Sequence, residues 1–185
     1  PYVMANIPVT MTVQQPASWG KLEGTVTGMG ACDADPAPLA AADVQVESTG
    51  GMSWTLTTDI SGTFQIWLDQ GFSPFTVTVT APDYRGVASG VTVVQGETTS
   101  RDFDLRLLQP CLTYAPAGVA ATLAMGNSGT RSLMLHNAGA AEAAFELHEV
   151  GGIPWLSADP VSGTLPVGGD LPVVLSLDAG GPETM

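Results

Sequence analysis

The sequence predicts an all-β chain made of two tandem antiparallel β-sandwiches. Three observations carry this prediction. Apolar and polar residues alternate with period two along most of the chain, no stretch keeps the 3.6-residue period of an amphipathic helix, and turn-forming residues separate the alternating runs. Because 185 residues with 44% apolar content can bury one ordinary core or two small ones, we expect two small cores.

Seven short strands are predicted in the first half, residues 15–110. In the run GKLEGTVTG, Leu22 and Val26 lie on one face while Lys21 and Glu23 lie on the other, as in a half-buried strand. The alternation recurs in six further runs: DVQVES, SWTLTT, TFQIWL, PFTVTVT, VTVVQG and RDFDLRL. Seven strands separated by turns are typical of a β-sandwich.

The second half, residues 111–185, repeats the alternation in the runs VAATLAM, RSLMLHN, AAFELHEV and LPVVLSL. Turn-rich segments separate them, among them GNSGT, NAGAAE and PVSGTLPVGG. The halves meet near LLQPCLTYAP, where Pro110 and Pro116 bracket a short connector without the Gly and Ser of a flexible linker. We therefore expect two sandwiches joined by a stiff connector.

An ordered series of motifs runs through the first half: GKLEGTVTG, PLAAADVQVESTGG, TLTTDISGTFQIWL, FTVTVTAPDYRG and VTVVQGETTSRDFDL. This series resembles the carboxypeptidase regulatory-like domain, a transthyretin-like sandwich, over roughly residues 17–108. The resemblance implies a domain without catalytic residues of its own. Such domains are usually appended to extracellular enzymes, often peptidases, and to surface proteins.

Residues 112–178 are similar to immunoglobulin-like modules of the BACON and abnormal-spindle/hydin type. The similarity lies in the N-x-G of LMLHNAGAA and in Trp155, Pro160, Gly163 and Gly169 of the later motif. Trp155 is expected to be a large apolar plug for a small core. The family continues past LDAGG into one more strand, so the second sandwich is predicted to be immunoglobulin-like and truncated at its C-terminus.

The N-terminal segment, residues 1–14, carries a separate prediction. Its run ANIPVTMTV, from Ala5 to Val13, resembles the closing strand of the same immunoglobulin-like family. Two interpretations stay open: the segment ends a preceding module, or it completes the second sandwich within the chain or in a neighbour. Since the chain begins with Pro1 and lacks the basic region of a signal peptide, we interpret it as a piece of a longer protein.

The charge balance narrows the classes of partner. Five basic residues against eighteen acidic ones give a net charge of −13, which repels nucleic acid and anionic lipid head groups. No apolar run approaches the roughly 18 residues that would span a bilayer. We expect the partners to be other domains of the parent chain, or a polysaccharide or cell-surface protein.

The two cysteines, Cys32 and Cys111, are predicted to form a disulfide that ties an early loop to the end of the first sandwich. On the chain-entropy model such a bridge stabilises by up to about 4.5 kcal/mol. Two separate buried thiols are the alternative, and two cysteines without further ligands do not make a metal site. A disulfide favours an extracellular or cell-surface location.

The segment DISG raises the question of catalysis. We interpret it as a hairpin turn in which Asp59 accepts bonds from the following amides and Gly62 takes a positive φ. Ile60 separates the acid from the hydroxyl residue, unlike the D-[TS]-G of aspartic proteases. A calcium site using Asp59 with Asp33 or Asp35 is the alternative, although calcium prefers six or more oxygens.

Other reactive residue types lack companions. Asn127 replaces the acid of a serine-protease-like motif in GNSGT, and His136 and His148 are predicted to point outward from their strands. Lys21 lies on the Glu23 face, opposite the apolar face that an isopeptide bond requires. We predict no catalytic residues, no cofactor and no metal.

Ligand binding is the alternative function. Trp67 is predicted to point away from the core, and Trp19 and Tyr84 lie near strand ends, so one or more rings could stack on sugars. Coverage of the domain junction or of the far sheet's edge is the other explanation for these rings. The main prediction is a non-catalytic extracellular spacer segment of a larger secreted protein, such as a peptidase or other hydrolase, and the alternative is a carbohydrate- or cell-surface-binding module.

Overall fold

A computed structural model describes residues 8–12, 14–32 and 35–180. Within these residues the fold is all-β, with a single 3₁₀ turn at Gln70–Phe72. The strands form sheets stacked as sandwiches, which confirms the fold class predicted from the sequence.

In the part of the chain that the structure describes, the first sandwich contains nine strands: β1 Trp19–Met29, β2 Ala37–Pro38, β3 Asp43–Ser48, β4 Ser53–Thr57, β5 Thr63–Asp69, β6 Phe75–Thr80, β7 Val87–Val91, β8 Thr98–Ser100 and β9 Phe103–Arg106. One sheet has the order β4-β3-β6-β7. The other is organised around β1, which pairs antiparallel with β2 and β5. It pairs in parallel with β8 and β9, so this sheet is mixed and not wholly antiparallel as predicted, because period-two alternation does not distinguish the two kinds of pairing.

The core of the first sandwich follows from the alternation in its strands. In β1, Leu22 and Val26 are fully buried, whereas Lys21 and Glu23 on the other face are only partly covered. Fourteen buried apolar residues meet between the sheets, with Trp54 packed edge-on against Phe75 at 6.0 Å.

Up to residue 180, where the described residues end, the second sandwich contains six strands: β10 Leu112–Ala115, β11 Ser128–Asn137, β12 Ala143–Glu146, β13 Leu156–Asp159, β14 Ser162–Leu165 and β15 Asp170–Asp178. Four of them form a sheet in the order β10-β11-β15-β13, and β12 pairs with β14 in a two-stranded sheet. The core between the sheets is small, and its buried members are Leu135, Ala143, Leu165 and Val173.

Several strand predictions were wrong. Nine strands of the described residues form the first sandwich where we predicted seven, and the run PVSGTLPVGG, which we interpreted as a turn, contains β14. The run VTVVQG is mostly irregular, because β7 ends at Val91 and the N–H of Val93 donates to the hydroxyl of Ser73. The run VAATLAM forms no strand. Conversely, Leu112–Ala115, which we expected to be connector, is the edge strand β10, so the connector is shorter than predicted.

The structure bears on two further expectations, the burial of Trp155 and the pairing of the N-terminal segment. Trp155 is not a core plug: it is 51% exposed and lies at a sheet edge, where its carbonyl accepts the N–H of Asp178. Residues 8–12 are exposed and form no strand, so this part of the N-terminal segment does not complete the second sandwich within the chain. The rest of the run, at positions 5–7 and 13, lies outside the described residues.

Candidate functional site

Residues 107–111 form the junction between the sandwiches, and we call them the connector. Its first residues are fixed to the first sandwich: the N–H of Leu107 donates to the carbonyl of Met29 at 2.9 Å, and the N–H of Leu108 donates to that of Asp83 at 2.7 Å. Its last residue, Cys111, is 2% exposed and starts the second sandwich.

Asn137, at the end of β11, holds the connector from the other side. Its side chain is fully buried, and its Oδ1 accepts the N–H groups of Cys111 at 3.2 Å and Gly139 at 3.0 Å. Its Nδ2 donates to three carbonyls, of Ala141, Leu165 and Pro166. A single amide therefore joins the connector, the turn after β11 and the end of β14.

Gly139 allows the connector to approach this turn. A Cβ on Gly139 would lie 2.6 Å from the carbonyl carbon of Pro110 and closer still to backbone atoms of Gln109 and Cys111. With only hydrogen there, the carbonyl of Gln109 accepts the N–H of Ala140 at 3.0 Å. Asn137 and Gly139 are the N-x-G of the sequence, so the motif was visible but its docking role was not.

A disulfide between Cys32 and Cys111 adds a covalent link across the junction, which confirms the predicted bridge. The loop that carries Cys32 is also held by Arg106, whose Nη1 donates to the carbonyls of Gly30 at 3.2 Å and Ala31 at 3.1 Å. Because the bridge and these bonds all act within a few residues of the connector, they restrict rotation of one sandwich relative to the other.

A cleft of about 720 Å³ lies beside the connector and is lined by both sandwiches. Arg85 and Arg106 come from the first sandwich, and His136 comes from the second. The Nδ1 of His136 lies 2.8 Å from Oδ1 of Asp170, so this histidine is engaged with a carboxylate at the face of its sheet.

Asp59 forms the turn that DISG predicts. Its Oδ1 accepts the N–H groups of Ser61 and Thr63 at 2.9 Å each, and its Oδ2 accepts the hydroxyl of Thr63 at 2.7 Å. These bonds, led by the Thr63 hydroxyl, lower the pKa of the Asp59 carboxyl. Gly62 has φ +73°, the positive value expected. The carboxylate therefore stabilises a hairpin.

Asp102 accepts a similar set of hydrogen bonds from Thr25 of β1. It accepts the N–H and the hydroxyl of Thr25, both at 2.8 Å, and the backbone bond is the main reason that the pKa of its carboxyl is lowered. Asp59, Asp102 and Glu23 share an open polar cleft of about 590 Å³. Yet no three His, Cys, Asp or Glu side chains among the described residues are placed to hold a metal ion. Asp33, part of the calcium alternative, lies outside them.

The other reactive-type residues are dispersed. Lys21 Nζ lies 2.6 Å from Oε2 of Glu23, on the face predicted for both. His148 is exposed, with its Nε2 3.4 Å from Oε1 of Glu146. Asn127 lies in an exposed turn that bonds through its backbone. The structure brings none of these residues to His136.

The three aromatic candidates fall in two places. Trp67 is 41% exposed and lies opposite Lys21 in the β1–β5 register, with Trp19 diagonal to it on the same face. Tyr84 instead packs against the first core and over Gly28, where a Cβ would be 2.8 Å from its hydroxyl. The two tryptophans therefore share a face, and Tyr84 is separate from them.

Residues 21–106 match the family model of the carboxypeptidase regulatory-like domain. This range runs from Lys21 in β1 to the end of β9, so the match covers the strands of the first sandwich and less than half of the chain. No curated protein matches the chain. Among the described residues, no helix has the length and apolar character needed to cross a membrane.

Solved structures are similar only distantly. A minor pilin of Streptococcus agalactiae has 18% identity and a TM-score of 0.42, with 57% of this chain and 49% of the pilin covered. The Bacillus anthracis TIE protein has 15% identity, a TM-score of 0.41 and coverages of 88% and 27%. A DUF3823 family protein from Parabacteroides merdae has 16% identity and a TM-score of 0.39, with 90% of this chain and 83% of that protein covered. This chain spans less than two thirds of the length of the first two structures.

Proposed function

We propose that this chain is a non-catalytic spacer segment of a larger exported protein, in which two sandwiches hold a neighbouring domain at a set distance and orientation. The observation that supports the proposal is the connector, which is hydrogen-bonded to both sandwiches and ends at the disulfide-bonded Cys111. A freely jointed pair of domains would need no buried amide such as Asn137 at the hinge. Rigidity at this point is what a spacer requires.

The location and the parent protein belong to the same proposal. A disulfide is typical of secreted or surface proteins. Residues 21–106 match the carboxypeptidase regulatory-like domain, and domains of this type are usually appended to extracellular enzymes. We assign the parent to the peptidases or other hydrolases, with the rest of that chain as the partner of this segment. The catalytic residues then lie in another domain.

The test measures whether the sandwiches tumble as one body. In ¹⁵N relaxation of the full chain, both sandwiches are expected to give one rotational correlation time. The variant Asn137→Ala under reducing conditions is expected to give two shorter ones. Asn127→Ala is the matched control, because Asn127 is exposed. Two independent correlation times in the unmodified oxidised chain would refute the spacer function.

Recognition of a carbohydrate or cell-surface ligand is the second candidate. It is favoured by Trp67 and Trp19, which lie on one face, with the Trp67 ring 41% exposed. Titration with neutral polysaccharides is expected to change tryptophan fluorescence saturably in the full chain and not in Trp67→Ala. An unsaturable or absent change would exclude binding at this face and would leave the spacer function intact.

A further inference from the structure

The second sandwich has an open sheet edge. Among the described residues its sheets are unequal, with four strands in one and only β12 and β14 in the other. A two-stranded sheet is marginal by itself. Several apolar side chains packed on the core keep part of their surface exposed: Leu133, Phe145, Leu147, Leu171 and Leu175. Along the described chain β12 pairs with β14 alone, so a further strand could add at its other edge.

The register identifies the backbone groups at this edge. The N–H of Leu147 donates to the carbonyl of Val161 at 2.7 Å, in register with the β12–β14 pairing. In an antiparallel pair, alternate residues bond to the same neighbour, so the odd-numbered residues of β12 bond to β14. The even-numbered residues, Ala144 and Glu146, direct their N–H and C=O groups to the free edge.

A strand-like segment without a strand partner lies near the N-terminus. Residues 8–12 read Pro-Val-Thr-Met-Thr, in which apolar and polar side chains alternate. Val9 is 88% exposed and Met11 is 82% exposed. Two large apolar side chains on one face of an extended segment favour addition to a sheet over exposure to water.

The geometry of β1 places this segment out of reach of its own second sandwich. Trp19 begins β1, and Met29 at its other end bonds to the connector. At about 3.3 Å per residue the strand separates these ends by roughly 30 Å. The seven residue steps from Thr12 to Trp19 span at most about 25 Å. The segment therefore leaves the first sandwich at the end opposite the junction, and it cannot reach β12 of its own chain.

We propose that residues 8–12 of one copy add as a strand to the free edge of β12 in a second copy of this chain. Val9 and Met11 then cover Phe145 and Leu147, and the backbone bonds to Ala144 and Glu146. Pro8 starts the added strand, a position that tolerates its missing N–H. Because donor and acceptor lie at opposite ends of each copy, the contact is heterologous and forms open head-to-tail oligomers.

Sedimentation velocity of the full chain tests this proposal. The oxidised chain is expected to form a series of oligomers as its concentration rises to about 1 mM. The donor variant Val9→Asp/Met11→Asp charges the covering face, and the acceptor variant Ala144→Pro removes an edge N–H. Each variant alone is expected to weaken association at least tenfold. Ala144→Val keeps the N–H and is expected to associate like the unmodified chain.

Mixing the two variants gives the sharpest result. The donor variant retains an intact β12 edge and Ala144→Pro retains an intact donor, so an equimolar mixture is expected to form dimers and nothing larger. Monomers at all concentrations of the unmodified chain would overturn the proposal. Oligomers that survive in the donor variant would also overturn it. Since Val9 and Met11 are exposed, that variant carries the test by itself if Ala144→Pro fails to fold.

Discussion

Replacement of Asn137 by alanine tests the physical basis of the rigid junction. The substitution removes a fully buried side chain that takes part in five hydrogen bonds. Two of its partners are the N–H groups of Cys111 and Gly139, both in buried residues, which would lose their acceptor. A buried unsatisfied donor costs about 1–3 kcal/mol, so the pair gives about 2–6 kcal/mol. The three carbonyl oxygens that accept from Asn137 have two lone pairs each, so the loss of one donor adds little to this cost.

The loss is expected in the second sandwich and not in the first. Urea unfolding is followed by NMR signals of Leu135 and Val173 for the second core and of Leu22 and Val44 for the first, since the two cores need not unfold together. Asn127→Ala is expected to change the free energy of unfolding by no more than about 0.5 kcal/mol. A cost below about 1 kcal/mol for Asn137→Ala would refute the reasoning about its buried hydrogen bonds.

Three further predictions concern the disulfide, the turn that contains Gly62, and the hydrogen-bonded carboxylates of Asp59 and Asp102. Reduction of Cys32–Cys111 is expected to lower the free energy of unfolding by up to about 4.5 kcal/mol, measured in urea with and without a thiol reductant. Gly62→Ala is expected to cost at least about 1 kcal/mol in thermal unfolding, because φ is +73° and the new Cβ would lie 2.5 Å from a backbone carbonyl oxygen. The pKa values of Asp59 and Asp102 are lowered in the folded state, so their stabilisation is complete above the usual value of 3.8 and is lost as pH falls below it, as acid unfolding should show.

Each of these predictions has a matched control. The double variant Cys32→Ser/Cys111→Ser should be insensitive to the reductant. Gly90→Ala, where a Cβ meets nothing within 4 Å, should have little effect on thermal unfolding. Asp59→Asn should flatten the acid limb of the stability curve more than the same change at Asp43, a strand residue on the exposed face of β3. An equal effect at the two aspartates would contradict the role given to the Asp59 turn.

Apart from the disulfide, which was predicted because the chain has two cysteines, the features that the sequence predicted correctly are determined by neighbouring residues. Alternation in β1 separates Leu22 from Lys21, and the DISG turn depends on Asp59 and groups within four residues of it. The errors arise where residues far away in the sequence determine the hydrogen bonds of a segment. Val93 has the pattern of a strand residue, but its backbone bonds to the side chain of Ser73, and no local signal shows that Asn137 receives the connector.

The junction and the proposed strand exchange have a joint consequence that separates them experimentally. If the connector is rigid, every copy in a head-to-tail oligomer is related to the next by one fixed rotation and translation, so the oligomer is a regular filament. Asn137→Ala leaves Val9, Met11 and the N–H of Ala144 intact. It should therefore preserve oligomer size in sedimentation when the second sandwich remains folded, while small-angle scattering shows a loss of filament stiffness. Stiff filaments from this variant would contradict the role of Asn137 in the spacer, whereas monomers from a folded variant would mean that the free edge of β12 depends on the junction.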